Sequence, residues 1–165
     1  MSVCGVEPDV PLLRGDEPFI KGKELSEFFY GPDGFGNALL DYQKENGSVP
    51  TPNVTDEPAV DFLARIAREH PGEISILGLA PLTNLALAQK KDPTFAKNVR
   101  DVVLLGGTYL VQGNTDYYAS EYNFFKDPEA AKVVFDNFLD ITMIPIEACR
   151  AFRSMPHDQV AIPFT

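Results

Sequence analysis

The chain has 165 residues, 44% of them apolar and 23% charged, with a net charge of −10. That is enough for one domain with a real core. The acidic balance argues against nucleic-acid and anionic-membrane partners, which want a basic face, and no apolar run approaches the roughly 20 residues of a membrane span. The N-terminal "MSVCGVEPDVPLLRGDEPF" has acids and prolines but no basic n-region, so a signal peptide is not expected. Cys4 and Cys149 form no disulfide framework. Reduced thiols and a cytoplasmic location are the expectation, and the glycosylation patterns Asn46-Gly-Ser48 and Asn53-Val-Thr55 are then idle.

The first 55 residues are rich in proline and glycine and short of long periodic runs. Pro50, Pro52 and Asn53 punctuate their end. Thr55 or Asp56 caps a predicted helix with Pro58 in its first turn. Val60, Leu63, Ala64 and Ala67 share one face of it. "ISILGLA", Ile74 to Ala80, reads as a buried parallel strand. "PLTNLALAQKK" is helical, with Lys90 and Lys91 where the helix dipole favours them. Asp92-Pro93 starts a short helix through Lys97, and "DVVLLGG" is the second strand. Asp127-Pro128-Glu129 opens a helix with Ala131, Val134, Phe135 and Phe138 inward, and "ITMIPIEA", Ile141 to Ala148, is the third strand.

Helix and strand alternate, which predicts right-handed crossovers and an α/β fold: three layers, a mostly parallel sheet with helices on both faces. Ligands of such sheets sit beyond the carboxyl ends of the strands, here Leu79-Ala80, Leu105-Gly106 and Ile146-Glu147. From that edge leaves a connection of roughly twenty residues, long enough to suggest a function. Gly106 and Gly107 allow close approach of a ligand to the backbone, or a sharp exit from the strand. No Lys-Ser or Lys-Thr follows them, which excludes a phosphate loop, and "GFGNALL" is too short for a dinucleotide fingerprint.

The loop carries Asn114, Asp116, Glu121 and Asn123. Amides and carboxylates at close spacing suit a polyhydroxylated sugar, whose hydroxyls both donate and accept. Composition alone favours a plainer reading, in which these side chains cap turns. Tyr109, Tyr117, Tyr118 and Tyr122 stack on a base or, for most of them, pack the loop down.

Four ordered motifs sharpen this: "LGLAPLTNLALA", "VRDVVLLGGTY", "GN" with "SEYNFFKDPEAAKVVFD", and "ITMIPIEA". Together, from Ile74 to Glu147, they resemble the nucleoside hydrolases, the inosine–uridine-preferring N-ribohydrolase family. Its usual forms are Gly-Pro-Leu-Thr-Asn, Met-Gly-Gly, and Gly-Asn followed by Ala-Glu-Phe-Asn and Asp-Pro-Glu-Ala-Ala. "PLLRGDEPF" and "GPDGFG" echo the segment upstream.

The resemblance implies a Rossmann-like fold and hydrolysis of the N-glycosidic bond of ribonucleosides to ribose and free base. It implies a calcium ion, an acceptor of about 6–8 oxygen ligands. Leu79 aligns with the position whose backbone carbonyl ligates calcium. Asn114, Glu121 and Asn123 align with residues that grip the ribose hydroxyls. Leu105 replaces the methionine beneath the sugar, a nearly volume-conserving swap, and Tyr122 replaces a phenylalanine. The segment from Asn114 to Glu121 is one residue longer than the common pattern.

The family's opening Asp-x-Asp-x-Gly-x-Asp-Asp cluster, which supplies most calcium ligands and the general base, has no counterpart here. His157-Asp158 imitates a late His-Asp pair but follows the third strand too soon, and coincidence is the favoured reading. His70, at a helix C-terminus, reads as a partner of the dipole. The expectation is therefore a single partial domain over residues 1–165, lacking the Asp-rich strand and the C-terminal part. No catalytic residue is assigned, calcium is not bound tightly, and the chain alone is inactive. The alternative is a non-catalytic ribose-binding or interaction fragment. Homo-oligomers are possible in this family.

Overall fold

The structure, a computed structural model, describes residues 10–16, 36–48, 54–115 and 119–153. Cys4, Asp116, Tyr117, Tyr118 and the His157-Asp158 pair lie outside them. The described residues fall into two compact units. In the first, helix α1 (Ala38–Asn46) buries no side chain, so it has no apolar face for a sequence reading to find. It closes at Gly47, whose φ of 77° suits glycine and whose N–H donates to the Gln43 carbonyl at 2.8 Å. Leu12 and Val54 form a parallel bridge.

The second unit runs α2 (Ala59–Glu69), β1 (Ile74–Gly78), α3 (Thr83–Lys91), α4 (Phe95–Asn98), β2 (Val99–Leu105), α5 (Tyr122–Lys126), α6 (Pro128–Asn137), β3 (Ile141–Ile144) and α7 (Ile146–Arg153). The strands pair in the order β1-β2-β3, both pairs parallel. Leu77 stands beside Val103, which stands beside Thr142. Side chains alternate across a strand, so Ile76, Val102, Leu104 and Ile141 face the core with α2, α3, α4 and α6. Phe95 and Phe138 meet edge-to-face at its centre, 5.6 Å apart. The opposite face carries Leu77, 62% exposed. Among the described residues no helix is long and apolar enough to cross a membrane.

Three expectations shift in detail. The first strand stops at Gly78, not Ala80, and is covered on one face only, with Ser75 and Leu77 exposed. Phe135 is 43% exposed, and Ala130 takes the inward place beside Ala131, Val134 and Phe138. Phe135 meets the Phe124 ring at 5.7 Å instead of entering the core. The third strand stops at Ile144, not Ala148. Pro145 has no N–H for the ladder, and the chain turns directly into α7, so Glu147 belongs to a helix's first turn.

Caps hold the core elements in place. Asp127, fully buried, accepts the Ala130 N–H at 3.0 Å and the Thr83 hydroxyl at 2.7 Å, tying α6 to the start of α3. Asp92 accepts the Thr94 hydroxyl at 2.6 Å and N–H at 2.9 Å just before α4, with Arg68 at 3.3 Å. The Thr94 hydroxyl first, then its amide, hold the Asp92 carboxyl below its ordinary value against the pull of desolvation. A carboxylate depressed on folding stabilises above its ordinary pKa, and that contribution is lost as pH falls through the depressed value. The stability gap between wild type and Asp92→Asn is therefore expected at neutral pH and should close on acidification below the usual carboxylate range. Urea midpoints across that range check it.

Candidate functional site

The site lies where the sheet topology places it, at the carboxyl ends of β1 and β2. Glu121 is the N-cap of α5. Its carboxylate accepts the Asn123 N–H at 2.9 Å and the Phe124 N–H at 3.2 Å, satisfying two of the unpaired donors at that helix start. The same carboxylate reaches across to the Gly107 N–H at 2.9 Å. Three backbone donors on one anion explain how a side chain only 6% exposed keeps its place. An ionised carboxylate has about four acceptor positions, so one remains.

Asn123, also buried, donates its Nδ2 to the Leu105 carbonyl at 2.8 Å and makes a longer contact of 3.5 Å with the Leu79 carbonyl. One amide thus spans the ends of two strands. Its Oδ1 takes no hydrogen bond among the described residues and is not among their buried orphan atoms, so it can accept from a ligand. The Leu79 side chain is 60% exposed, and its carbonyl is the part turned to Asn123. Leu105, half-buried, ends β2 on the face opposite Leu104.

Both glycines have a steric reason. A Cβ at Gly106 would stand 2.5 Å from Phe124 Cε1 and 3.3 Å from Glu121 Oε2. Gly107 has a φ of 77°, and a Cβ there would meet Met143 Sδ at 2.9 Å. The close approach is to the Phe124 ring beneath the loop. Gly106→Ala is expected to displace that ring and cost about 1–3 kcal/mol, read from the urea midpoint.

Asn114 is exposed and closes the loop. Its N–H donates to the Ser120 carbonyl at 3.1 Å, and its Oδ1 accepts the Tyr122 N–H at 2.8 Å. Its Nδ2 has no partner among the described residues. The turn-closing role suggested by composition is thus real for Asn114, while Glu121 and Asn123 point to the strand ends.

Sequence reasoning named Glu147 only as the end of the third strand, with no role of its own, and passed over Arg150. Glu147 Oε1 accepts the Thr108 hydroxyl and, at 3.1 Å, the Leu110 N–H. Burial pushes this carboxyl up, but the bonds from Thr108 and the backbone N–H groups of Glu147, Leu110 and Tyr109 outweigh it and hold it below its ordinary value. Arg150 donates to the Gln112 carbonyl at 2.6 Å and the Gly113 carbonyl at 2.9 Å. The misplaced end of the third strand hid both.

Calcium requires several anionic oxygens in one place. Among the described residues no group of three or more His, Cys, Asp or Glu side chains could hold a metal ion. Glu121 has most of its acceptor positions taken by three backbone donors, and Asn123 turns its donor, not its acceptor, to the Leu79 carbonyl. These residues do not by themselves fit calcium.

A parallel sheet whose strand ends gather a buried carboxylate and an amide defines an α/β protein with a candidate polar site at the sheet edge. The family model for "inosine-uridine preferring nucleoside hydrolase" matches residues 1–162. The chain belongs to that family. It is 41% identical over 141 residues to a probable uridine nucleosidase 1 of Oryza sativa subsp. japonica, covering 84% of this chain and 41% of the relative. It is 40% identical over 141 residues to uridine nucleosidase 1 of Arabidopsis thaliana, covering 84% and 40%. Among solved structures, the plant nucleoside hydrolase PpNRh1 superposes with a TM-score of 0.72 at 36% identity, over 84% of this chain and 42% of that one. The fold is therefore the α/β nucleoside hydrolase fold. The chain spans about two fifths of the length of these relatives.

Proposed function

We propose that this chain supplies the ribose-facing wall of a nucleoside hydrolase site, with a ribonucleoside as ligand. One observation carries the reading: Glu121 and Asn123 converge on the end of β2, at Gly107 N–H and Leu105 C=O, 2.9 and 2.8 Å away. The remaining acceptor position of Glu121 and the free Oδ1 of Asn123 suit vicinal hydroxyls, each of which needs an acceptor. Leu105 offers apolar contact beneath the ring, Asn114 a donor from its Nδ2, and Leu79 a carbonyl for a cation or a hydroxyl.

In the reaction, a water oxygen bonds to the anomeric carbon, the C–N bond breaks, and a proton passes to the departing base. The transition state resembles an oxocarbenium ion, as in other glycoside cleavage. Glu121 and Asn123 fix the ring while positive charge develops on it. No described residue is placed to take the water's proton, so turnover is not expected from this chain alone. The lack of a carboxylate cluster among the described residues favours a second reading, a ribose-binding fragment without catalysis.

The relatives named uridine nucleosidases make uridine the first ligand to assay. Uridine is expected to shift the Tyr122 and Asn123 amide resonances of the 15N-labelled chain, while no uracil is released with calcium present. Unmoved amides at saturating uridine would remove the cradle. Release of uracil would overturn the expected inactivity.

A further inference from the structure

We infer that the start of α7 is a clamp that sets the register of the ribose loop, with Glu147 and Arg150 as its positioning residues. The geometry is a continuous chain of hydrogen bonds. Glu147 Oε1 takes the Thr108 hydroxyl and the Leu110 N–H. The Thr108 oxygen in turn accepts the Gln112 N–H at 3.1 Å. Arg150 holds the Gln112 and Gly113 carbonyls. Both polar groups of the Gln112 backbone are therefore tied to α7, one directly and one through Thr108. The next residue after Gly113 is Asn114, whose Oδ1 meets the Tyr122 N–H beside Glu121. A shorter route runs in parallel. The Ile146 N–H donates to the Gly107 carbonyl at 3.0 Å, and the Gly107 N–H donates to Glu121.

Two further features show that the loop is held and does not rest in its own minimum. Val111, between the two anchors, sits at φ 56°, left-handed backbone that a β-branched residue avoids. Such strain persists only where the surroundings over-determine it. Glu147 Oε2 is buried with no partner among the described residues, an unfavourable placement that the bonds at Oε1 must outweigh. Position 113 takes only glycine in this loop conformation, because a Cβ there would lie 1.8 Å from the Ser120 carbonyl oxygen.

The consequence for ligand binding rests on the ribose-cradle reading, but the clamp can be tested without any ligand. The test is amide hydrogen exchange on the full 15N-labelled chain. In Glu147→Ala, exchange at Leu110, Gln112 and Tyr122 is expected to quicken about tenfold, the equivalent of one lost hydrogen bond each, with Val102 and Leu104 unchanged. Glu147→Gln keeps an accepting oxygen for Thr108 and Leu110 and should stay within about threefold of wild type. Unchanged exchange at Leu110 overturns the clamp. Faster exchange at Leu110 with Tyr122 unmoved also overturns it, because the effect then stops short of the ribose-facing residues. If the alanine variant does not fold, Thr108→Val, which leaves Glu147 and its bond to the Leu110 N–H in place, takes over: exchange at Gln112 and Tyr122 is expected to quicken, and unchanged exchange at Gln112 overturns the clamp. Failure of uridine to bind the wild type would count against the cradle alone and leave the exchange result standing.

Discussion

Glu121→Ala should lower the stability of the folded chain by roughly 3 kcal/mol. The carboxylate is the N-cap of α5, and loss of a cap costs about 1 kcal/mol. It is also the acceptor for the Gly107 N–H, 14 residues away in sequence, in a buried setting. Removing the acceptor strands that donor, at a further cost of about 1–3 kcal/mol. Against a typical total of about 5–15 kcal/mol this is a large share. Glu121→Gln is less severe, because one oxygen still accepts, but its NH₂ then faces an N–H donor and cannot accept from it. Urea unfolding of the three proteins gives the order wild type, glutamine, alanine. A loss below about 1 kcal/mol for alanine would mean that the carboxylate is not bound to Gly107 as described. Because the expected destabilisation is large, loss of uridine binding in Glu121→Ala is informative only when measured on the folded fraction.

That result bears on what the residues themselves disclose. The motif that resembles Ala-Glu-Phe-Asn marks Glu121 and Asn123 as sugar contacts, and both side chains bond to backbone groups at the end of β2, where the proposed cradle needs them. Composition alone points the other way, to turn-capping, and Glu121 is indeed a cap. The cap and the proposed sugar contact are compatible, because one carboxylate has enough acceptor positions to cap a helix, anchor a strand end and still receive a hydroxyl. Amphipathic α2 and the apolar β1 and β2 were legible because each buries one continuous face. Helices α1 and α5 were not: the first buries nothing, and the second is five residues held by a cap instead of by periodicity. The end of β3 was misplaced because "IPIEA" continues the apolar run past a proline that ends the ladder. With it went Glu147 and Arg150, whose roles depend on contacts 37 to 39 residues distant that no local pattern announces.

Asn123→Asp is the more demanding test of the strand-end geometry, and at neutral pH its expected cost is about 4 kcal/mol. The change is nearly isosteric, so packing contributes little. What changes is sign: the Nδ2 donor that faces the Leu105 carbonyl at 2.8 Å and the Leu79 carbonyl at 3.5 Å becomes an acceptor, and a charged one. Two effects then compete. Leaving the carboxyl ionised buries a negative charge against two carbonyl oxygens, which costs several kcal/mol. Protonating it restores a donor to Leu105, at about 1.4 kcal/mol for each of the roughly 3 units between an aspartate's pKa and neutral pH. The second route caps the penalty near 4 kcal/mol, and it makes the penalty depend on pH. The introduced carboxyl has its pKa raised by folding, so stability is regained as pH falls towards the ordinary aspartate value and is lost again as pH rises. Asn123→Ala, which only removes the donor, should cost about 1–3 kcal/mol and show no such recovery. Urea midpoints of the two variants between neutral pH and pH about 4.5, each referred to wild type at the same pH, separate the cases. Parallel behaviour of the two variants would mean that Asn123 does not face the carbonyls of Leu79 and Leu105, and the ribose-facing wall would lose the residue that joins its two strands.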